Sequence, residues 1–285
     1  MTARSLDQEP TTAPRPLSIS DLTACLTLAD NREWPHEDRK WELLLRAGQG
    51  YGIDDAAGKL AASAVLTRFD GVAAISMVLV AAHYERRGLG ARILRHAMAE
   101  AGDDITTLYA TTFGKPLYER LGFVGTSAVE VAIGRFTGTA TGTTRPATAA
   151  DLPDILRLDT EVLGADRTAV LSRLPDYAER IRVIDRDGVI TGYAAASRPM
   201  TTGDYTQIGP VIAAEAHDAR ALIADLAAET DGKTRVDLED HSDLAAWATA
   251  HGLDILNTCT FMVVGGTALP GDRKRMFVPL LQALG

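Results

Sequence analysis

Arg86, Arg87, Gly88, Gly90 and Arg92 crowd into one short stretch of the chain. They combine full positive charge with two positions that have no side chain to hold a ligand away from the backbone. Placed at the start of a helix, where unpaired N–H groups carry a partial positive charge, that combination suits a diphosphate. A second candidate follows in GKPLYERLGF, where Tyr118 offers a phenol. With an ordinary pKa of about 10, a phenol stays protonated at neutral pH and can donate a hydrogen bond or a proton to a departing anion.

The surrounding elements support both positions. Ile75 to Val80 is apolar with β-branched residues and reads as a buried strand. After the glycines, Leu89, Ile93, Leu94, Ala97, Met98 and Ala101 recur at helical spacing, with Arg92, Arg95, His96 and Glu100 opposite. The two glycines therefore sit at a helix N-terminus. Upstream, residues 50 to 80 read as three antiparallel strands turning at Asp55 to Gly58 and at Asp70-Gly71. Downstream, Thr107 to Thr111 reads as a strand, and Pro116 and Gly122 bracket a short helix that carries Tyr118.

Two phosphate-binding patterns do not fit. A dinucleotide fingerprint wants a small residue where Ile93 stands and an acidic residue at the end of the next strand, which TTLYATTFG lacks. A nucleoside-triphosphate loop wants Gly-Lys followed by Ser or Thr.

Glu85 to Gly90 resembles instead the pyrophosphate loop of the GNAT superfamily of acyl-coenzyme A dependent N-acyltransferases, which reads Gln or Arg, two residues, Gly, one residue, then Gly or Ala. Glu85 departs from that pattern, and beside a diphosphate an acid must point away or pair with an arginine. Leu117, Tyr118, Glu119, Arg120, Leu121, Gly122 and Phe123 resemble the second signature of the same superfamily. The resemblance implies that Val78, Leu79 and Val80 form a strand that splays from its neighbour and pairs with the pantetheine arm. It also implies that Arg86, Arg87, Gly88, Leu89, Gly90, Ala91 and Arg92 hold the diphosphate. A backbone N–H near Val80 would polarise the thioester carbonyl, and Tyr118 would act as the acid toward the coenzyme A thiolate. The ordinary alternative for Tyr118 is a core aromatic.

Trp34, His36, Glu37 and Asp38 fall where the superfamily shapes its acceptor side, though the same segment also reads as a solvated helix face with Trp34 and Trp41 as packing anchors. An acceptor ammonium needs a base, for which His36, Glu37, Asp38, Glu42 and His83 are candidates. In some tandem relatives the terminal carboxylate enters the site, which here would be that of Gly285.

The chain also repeats. Arg15, Pro16, Asp21, Leu22, Leu26 and Leu28 recur 130 residues later, as do Asp55, Gly58, Glu85, Ala91, Ile93, Ala97 and Gly122. The expected organisation is a disordered leader at 1–14, a catalytic domain at 15–138, a linker at 139–144 and a degenerate copy at 145–285. The fold class is α/β (α+β), two tandem GNAT-like domains, each a mixed, mostly antiparallel sheet flanked by helices. At the same offset Gly88 becomes Asp218, Gly90 becomes Arg220 and Tyr118 becomes Ala248, so the second copy should not bind a diphosphate this way.

With 46% hydrophobic residues and a net charge of -9 over 285 residues, the chain reads as soluble and cytoplasmic, and lacks the basic surplus that nucleic acid demands. No apolar run approaches a membrane span. Cys25 and Cys259 read as buried core residues, and the six histidines show no ligand-like spacing, so no metal is expected. The expected activity is transfer of an acetyl or other short acyl group from acetyl-CoA or another acyl-CoA to a small-molecule amine. One alternative is an acyl donor held on a carrier protein. Another is a non-catalytic acyl-coenzyme A binding or scaffold protein.

Overall fold

The computed structural model describes residues 13–198, 205–266 and 268–284. Most of the expected leader, and Gly285, lie outside these residues. The first half runs β1 (Arg15–Leu17), α1 (Leu22–Asn31), α2 (Asp38–Ala47), β2 (Gln49–Asp54), β3 (Leu60–Phe69), β4 (Val72–Val80), α3 (Leu89–Ala101), β5 (Ile105–Ala110), α4 (Lys115–Arg120) and β6 (Val124–Gly134). The second runs β7 (Arg145–Pro146), α5 (Leu152–Leu163), α6 (Thr168–Leu171), α7 (Leu174–Tyr177), β8 (Arg180–Arg186), β9 (Val189–Ser197), β10 (Tyr205–Ile212), α8 (Ala216–Ala228), β11 (Lys233–Glu239), α9 (Leu244–Ala250), β12 (Leu253–Val264) and β13 (Met276–Val278).

The two halves follow the same order, except that two short helices, α6 and α7, stand where the first half has α2 and the second half adds β13, and each opens on the same ion-pair brace. Arg15 binds Asp21 at 2.9 Å and Asp54 at 2.6 Å, and Arg145 binds Asp151 and Asp185 at 2.8 Å each. The brace shows where the repeat slips, because the partner equivalent to Asp185 is Asp54 rather than Asp55. Gly58 and Gly188, both at positive φ, still match 130 residues apart.

All the strands of the described residues join one sheet, in the order β1-β2-β3-β4-β5-β12-β6-β11-β10-β9-β8-β7, with β13 beside β10. Its centre departs from two independent domains laid end to end. β12, from the second half, pairs antiparallel with β5 (Phe261 opposite Tyr109), and β6, from the first half, pairs with β11 (Val131 opposite Asp237). Each half thus lends its last long strand to the other, and the two lent strands pair together along their length. The segment expected as a linker is tied down as well: Thr141, Gly142 and Thr144 donate to the buried Asp225 carboxylate.

β3 and β4 are buried over nearly their whole length, so helices cover both faces and an almost unbroken apolar run replaces alternation. Against β3 and β4, α3 buries Leu89, Ile93, Leu94, Ala97 and Ala101, the stripe its spacing predicts. Cys25 and Cys259 are buried free thiols. No helix of the described residues is long and apolar enough to cross a membrane.

Candidate active site

The site begins where two parallel strands part. β4 pairs with β5 only from Val72 to Ala74, opposite Ile105 to Thr107. Beyond that point β4 keeps its β3 partners, Leu79 facing Ser63 and Val80 facing Ala62, while its other edge faces open space. A bulge marks the parting, because Met77 adopts φ 50° and its carbonyl accepts a 2.9 Å hydrogen bond from Ser63 Oγ. A left-handed conformation is costly for a residue with a side chain, and a buried hydroxyl holding the carbonyl helps to stabilise it. The bulge re-aims the backbone of Val78, Leu79 and Val80. Nearby, the buried Ser76 hydroxyl has no hydrogen-bond partner among the described residues.

The loop after β4 reaches α3 through two left-handed residues, Arg86 at φ 58° and Gly88 at φ 82°. Gly88 is the N-cap of α3, and its missing Cβ would point into open space, so backbone conformation rather than crowding requires glycine there. At Gly90 a Cβ would stand 3.2 Å from Leu117 and 3.6 Å from Val80, on the cleft wall. The mismatch at Glu85 resolves as an ion pair with Arg32. Arg86 and Arg87 are exposed, and the Arg87 guanidinium lies 5.4 Å from the centre of the Tyr84 ring.

Tyr118 closes the far wall. Pro116 sits in the first turn of α4, Gly122 at φ 93° follows its end, and Gly114 leaves room for the phenol ring, since a Cβ there would lie 2.9 Å from it. Burial pushes the Tyr118 phenol up to about 12, so it remains a proton donor throughout the range in which proteins stay folded.

One cavity of about 380 Å³ brings these parts together. Val78, Leu79, Val80, Gly90, Tyr118 and Trp34 line it, with Arg32 and Glu85 at the loop side. Arg86, Arg87, Gly88 and Leu89 lie in the chain between two lining residues, and Ala91 and Arg92 continue the first turn of α3. Three expected acceptor residues do not line the cavity. His36 pairs with Asp30 at 3.1 Å, Glu37 pairs with Lys40, and Asp38 opens α2, where its carboxylate accepts from the Arg39 N–H. Dense local charge there is spent on neighbouring charge. Trp41 is the packing anchor, fully buried, whereas Trp34 stays 37% exposed. Glu42 faces a separate cavity with Arg39, Arg46 and Arg173, and His83 is exposed beside the Tyr84 ring.

Comparison with known proteins agrees with this geometry. Sequence models described as the acetyltransferase (GNAT) family and an acetyltransferase (GNAT) domain match residues 18–123 and 155–278. Both halves belong to the GNAT acetyltransferase family. The tandem GNAT chain is 26% identical, over 78% of its length and 81% of the relative's, to the N-acetyltransferase YitH of Bacillus subtilis (strain 168), itself uncharacterized. Its fold matches a Pyrococcus horikoshii protein assigned as an acetyltransferase, with TM-score 0.80, 16% identity and coverage of 100% and 99% of the two chains. It also matches a tandem GNAT protein from the clavulanic acid biosynthesis pathway, with TM-score 0.62, 14% identity and coverage of 90% and 99%. The protein is a GNAT-type acyltransferase.

In the second GNAT half the same corner is built differently. β10 and β11 also part, after Ile208 and Val236, but β13 fills the gap, with Val278 opposite Val211 and Met276 opposite Ile212. Gly209 lets the tail come close, because a Cβ there would lie 2.6 Å from the Pro279 carbonyl oxygen. The helix start is filled too. Counted from the helix N-cap, Gly88 corresponds to Glu215 and Gly90 to His217, and Asp218 lies buried in the first turn against Arg186 at 2.7 Å. Ala248 is buried on α9, where Tyr118 stands on α4.

Sequence reasoning missed Ser76, Tyr109, Thr111, Gln282 and Ala283 as cavity-lining residues. The last two continue from β13, so the strand that closes the second corner leads into the wall of the first. The one available signal was KTRVDLE, where Asp237 and Glu239 sit on the same face of a buried strand. Two acids there need partners: Asp237 finds Arg235 on its own strand, and Glu239 finds Tyr109 of β5. Among the described residues no three His, Cys, Asp or Glu side chains gather as a metal's ligands would.

Proposed function

We propose that this GNAT protein transfers an acetyl or other short acyl group directly from acyl-coenzyme A to the amine of a small molecule, at the first-half cleft. The observation that carries this reading is the unpaired edge of Val78 to Val80, running from the bare start of α3 to Tyr118 within one cavity. That edge can pair with the amide-bearing arm of the donor as an added strand. The N–H groups at Gly88 to Gly90, with Arg86 and Arg92 nearby, suit its diphosphate, and the bulge at Met77 aims backbone N–H groups at the thioester carbonyl. Attack by the amine nitrogen forms the C–N bond as the C–S bond breaks, and Tyr118 donates to the leaving sulfur. Because a thiol loses its proton near pH 8.5, the departing thiolate is readily stabilised by a buried phenol.

Two further observations narrow the reading. Arg32 neutralises Glu85, which removes the reason to prefer a carrier-bound donor over free acyl-coenzyme A. Gln282 and Ala283, from the second half, narrow the cleft and favour a small acceptor over a folded one. The test combines calorimetric binding of acyl-coenzyme A with free-thiol release across a panel of donors and amines. Gly88→Asp, which places an acid where the second half has one, should weaken donor binding by about 100-fold or more. Equal binding by wild type and Gly88→Asp would remove the diphosphate assignment.

A further inference from the structure

The acceptor ammonium must lose a proton before its nitrogen can attack, and the groups lining the cleft leave few routes. Glu85 is paired with Arg32, Lys40 is held by Glu37, and the Tyr118 phenol faces the leaving group as an acid. Tyr109 remains. Its ring lines the cavity from β5, tilted against Phe261 of β12 with the ring centres 4.9 Å apart, and its hydroxyl donates a 2.5 Å hydrogen bond to Glu239 Oε1. Glu239 belongs to the second half, at the end of β11, and reaches the first-half cleft only because β12 and β6 have been exchanged between the halves.

We propose, building on the acyl-transfer reading above, that Tyr109 and Glu239 form the relay that takes the proton from the acceptor amine, so the second half completes the active site of the first. The ammonium N–H passes its proton to Tyr109 Oη as the Tyr109 proton passes to Glu239 Oε1. The freed lone pair forms the C–N bond, the C–S bond breaks, the thiolate takes its proton from Tyr118, and the acylated nitrogen sheds its second proton to water in the cleft. Glu239 then returns its proton through Tyr109 to water entering the cleft, and Tyr118 is reprotonated from solvent.

The two acids of β11 differ in a way that fits this role. Asp237 is matched by the Arg235 guanidinium at 2.8 Å and by Gln282 Nε2 at 2.9 Å. Glu239 is 5% exposed, and the charged and titratable groups facing it are Tyr109 from β5, Arg273 from the turn before β13, and its neighbour Asp240. Burial pushes Glu239 up to about 7, partly offset by the Tyr109 hydrogen bond and by Arg273. A base poised there accepts a proton at neutral pH and releases it again.

The test uses the full chain with acetyl-coenzyme A and two nucleophiles: butylamine, whose ammonium must be deprotonated, and methoxyamine, which is neutral at pH 7. With butylamine, Tyr109→Phe and Glu239→Gln should each lower kcat by about 10²–10⁴-fold, with donor affinity within twofold of wild type. The wild-type kcat should rise with pH through about 7, where Glu239 loses its proton, and Glu239→Gln should lack that limb. With methoxyamine both variants should recover to within a few-fold of wild type. A Glu239→Gln enzyme with wild-type kcat and an unmoved acid limb would overturn the relay. So would an equal loss with both nucleophiles, which marks a merely structural role. A wild-type protein that binds no acyl-coenzyme A would overturn the functional reading itself and take the relay with it.

Discussion

The two halves of this chain share an element order, a brace of one arginine between two aspartates, and a pair of parallel strands that part midway. They differ where a ligand would lie. In the first half the gap is open, the helix start is a glycine cap and a phenol faces the cavity. In the second the gap holds β13, the helix start carries its own carboxylates, and an alanine replaces the phenol. Convex packing surfaces kept their pattern while one concave corner diverged, so loss of a site need not loosen a fold. A strand in an open edge satisfies the same backbone groups that a substrate would, and a buried anion in the first helical turn, paired with Arg186, supplies the negative charge that a phosphate would bring there.

The sharpest break in that comparison is to give the first half the second half's chemistry at Tyr118. Tyr118→Phe keeps the ring against Phe123 and Gly114 and removes only the hydroxyl. It should lower kcat by about 10²–10³-fold while leaving donor affinity unchanged, read from steady-state thiol release beside calorimetry. A smaller effect tests the loop. Arg32→Ala should uncover the Glu85 charge and weaken donor binding by about tenfold, and Glu85→Gln in that background should restore most of it. No restoration would show that Arg32 touches the donor itself. The smallest effect lies in the second half. Asp218→Asn should leave kcat and donor affinity unchanged and cost about 1–2 kcal/mol of stability, because it weakens the link between buried Asp218 and Arg186. That loss should appear as a melting point several degrees lower.

The parts legible in the sequence were those written locally. The α3 stripe, the two cap glycines and the Pro116 to Gly122 bracket around Tyr118 depend on neighbours within a few residues, and the structure places them as the spacing predicts. The parting of the strands at Val78 to Val80 came from resemblance rather than pattern. The strand exchange was invisible, because a strand's own sequence sets which faces its side chains take and nothing in it states which neighbouring edge receives its backbone. For the same reason Glu239 could not be assigned to Tyr109, which lies 130 residues away. The charge around His36, Glu37 and Asp38 suggested a ligand set by its density, and the structure holds His36 and Glu37 in short-range ion pairs with Asp30 and Lys40 and Asp38 against the Arg39 N–H.

The exchange also dictates an order of events on the ribosome. β5 receives its neighbour only when Thr260 to Val264 have been synthesised, some 150 residues after Ala110. Until then the nascent first half carries an unsatisfied sheet edge beside its cleft, and β6, already made, can occupy it in the wrong pairing. Correct maturation therefore requires that temporary partner to be displaced or never admitted, so catalytic competence of the first half arrives late in translation, once the second half has been made.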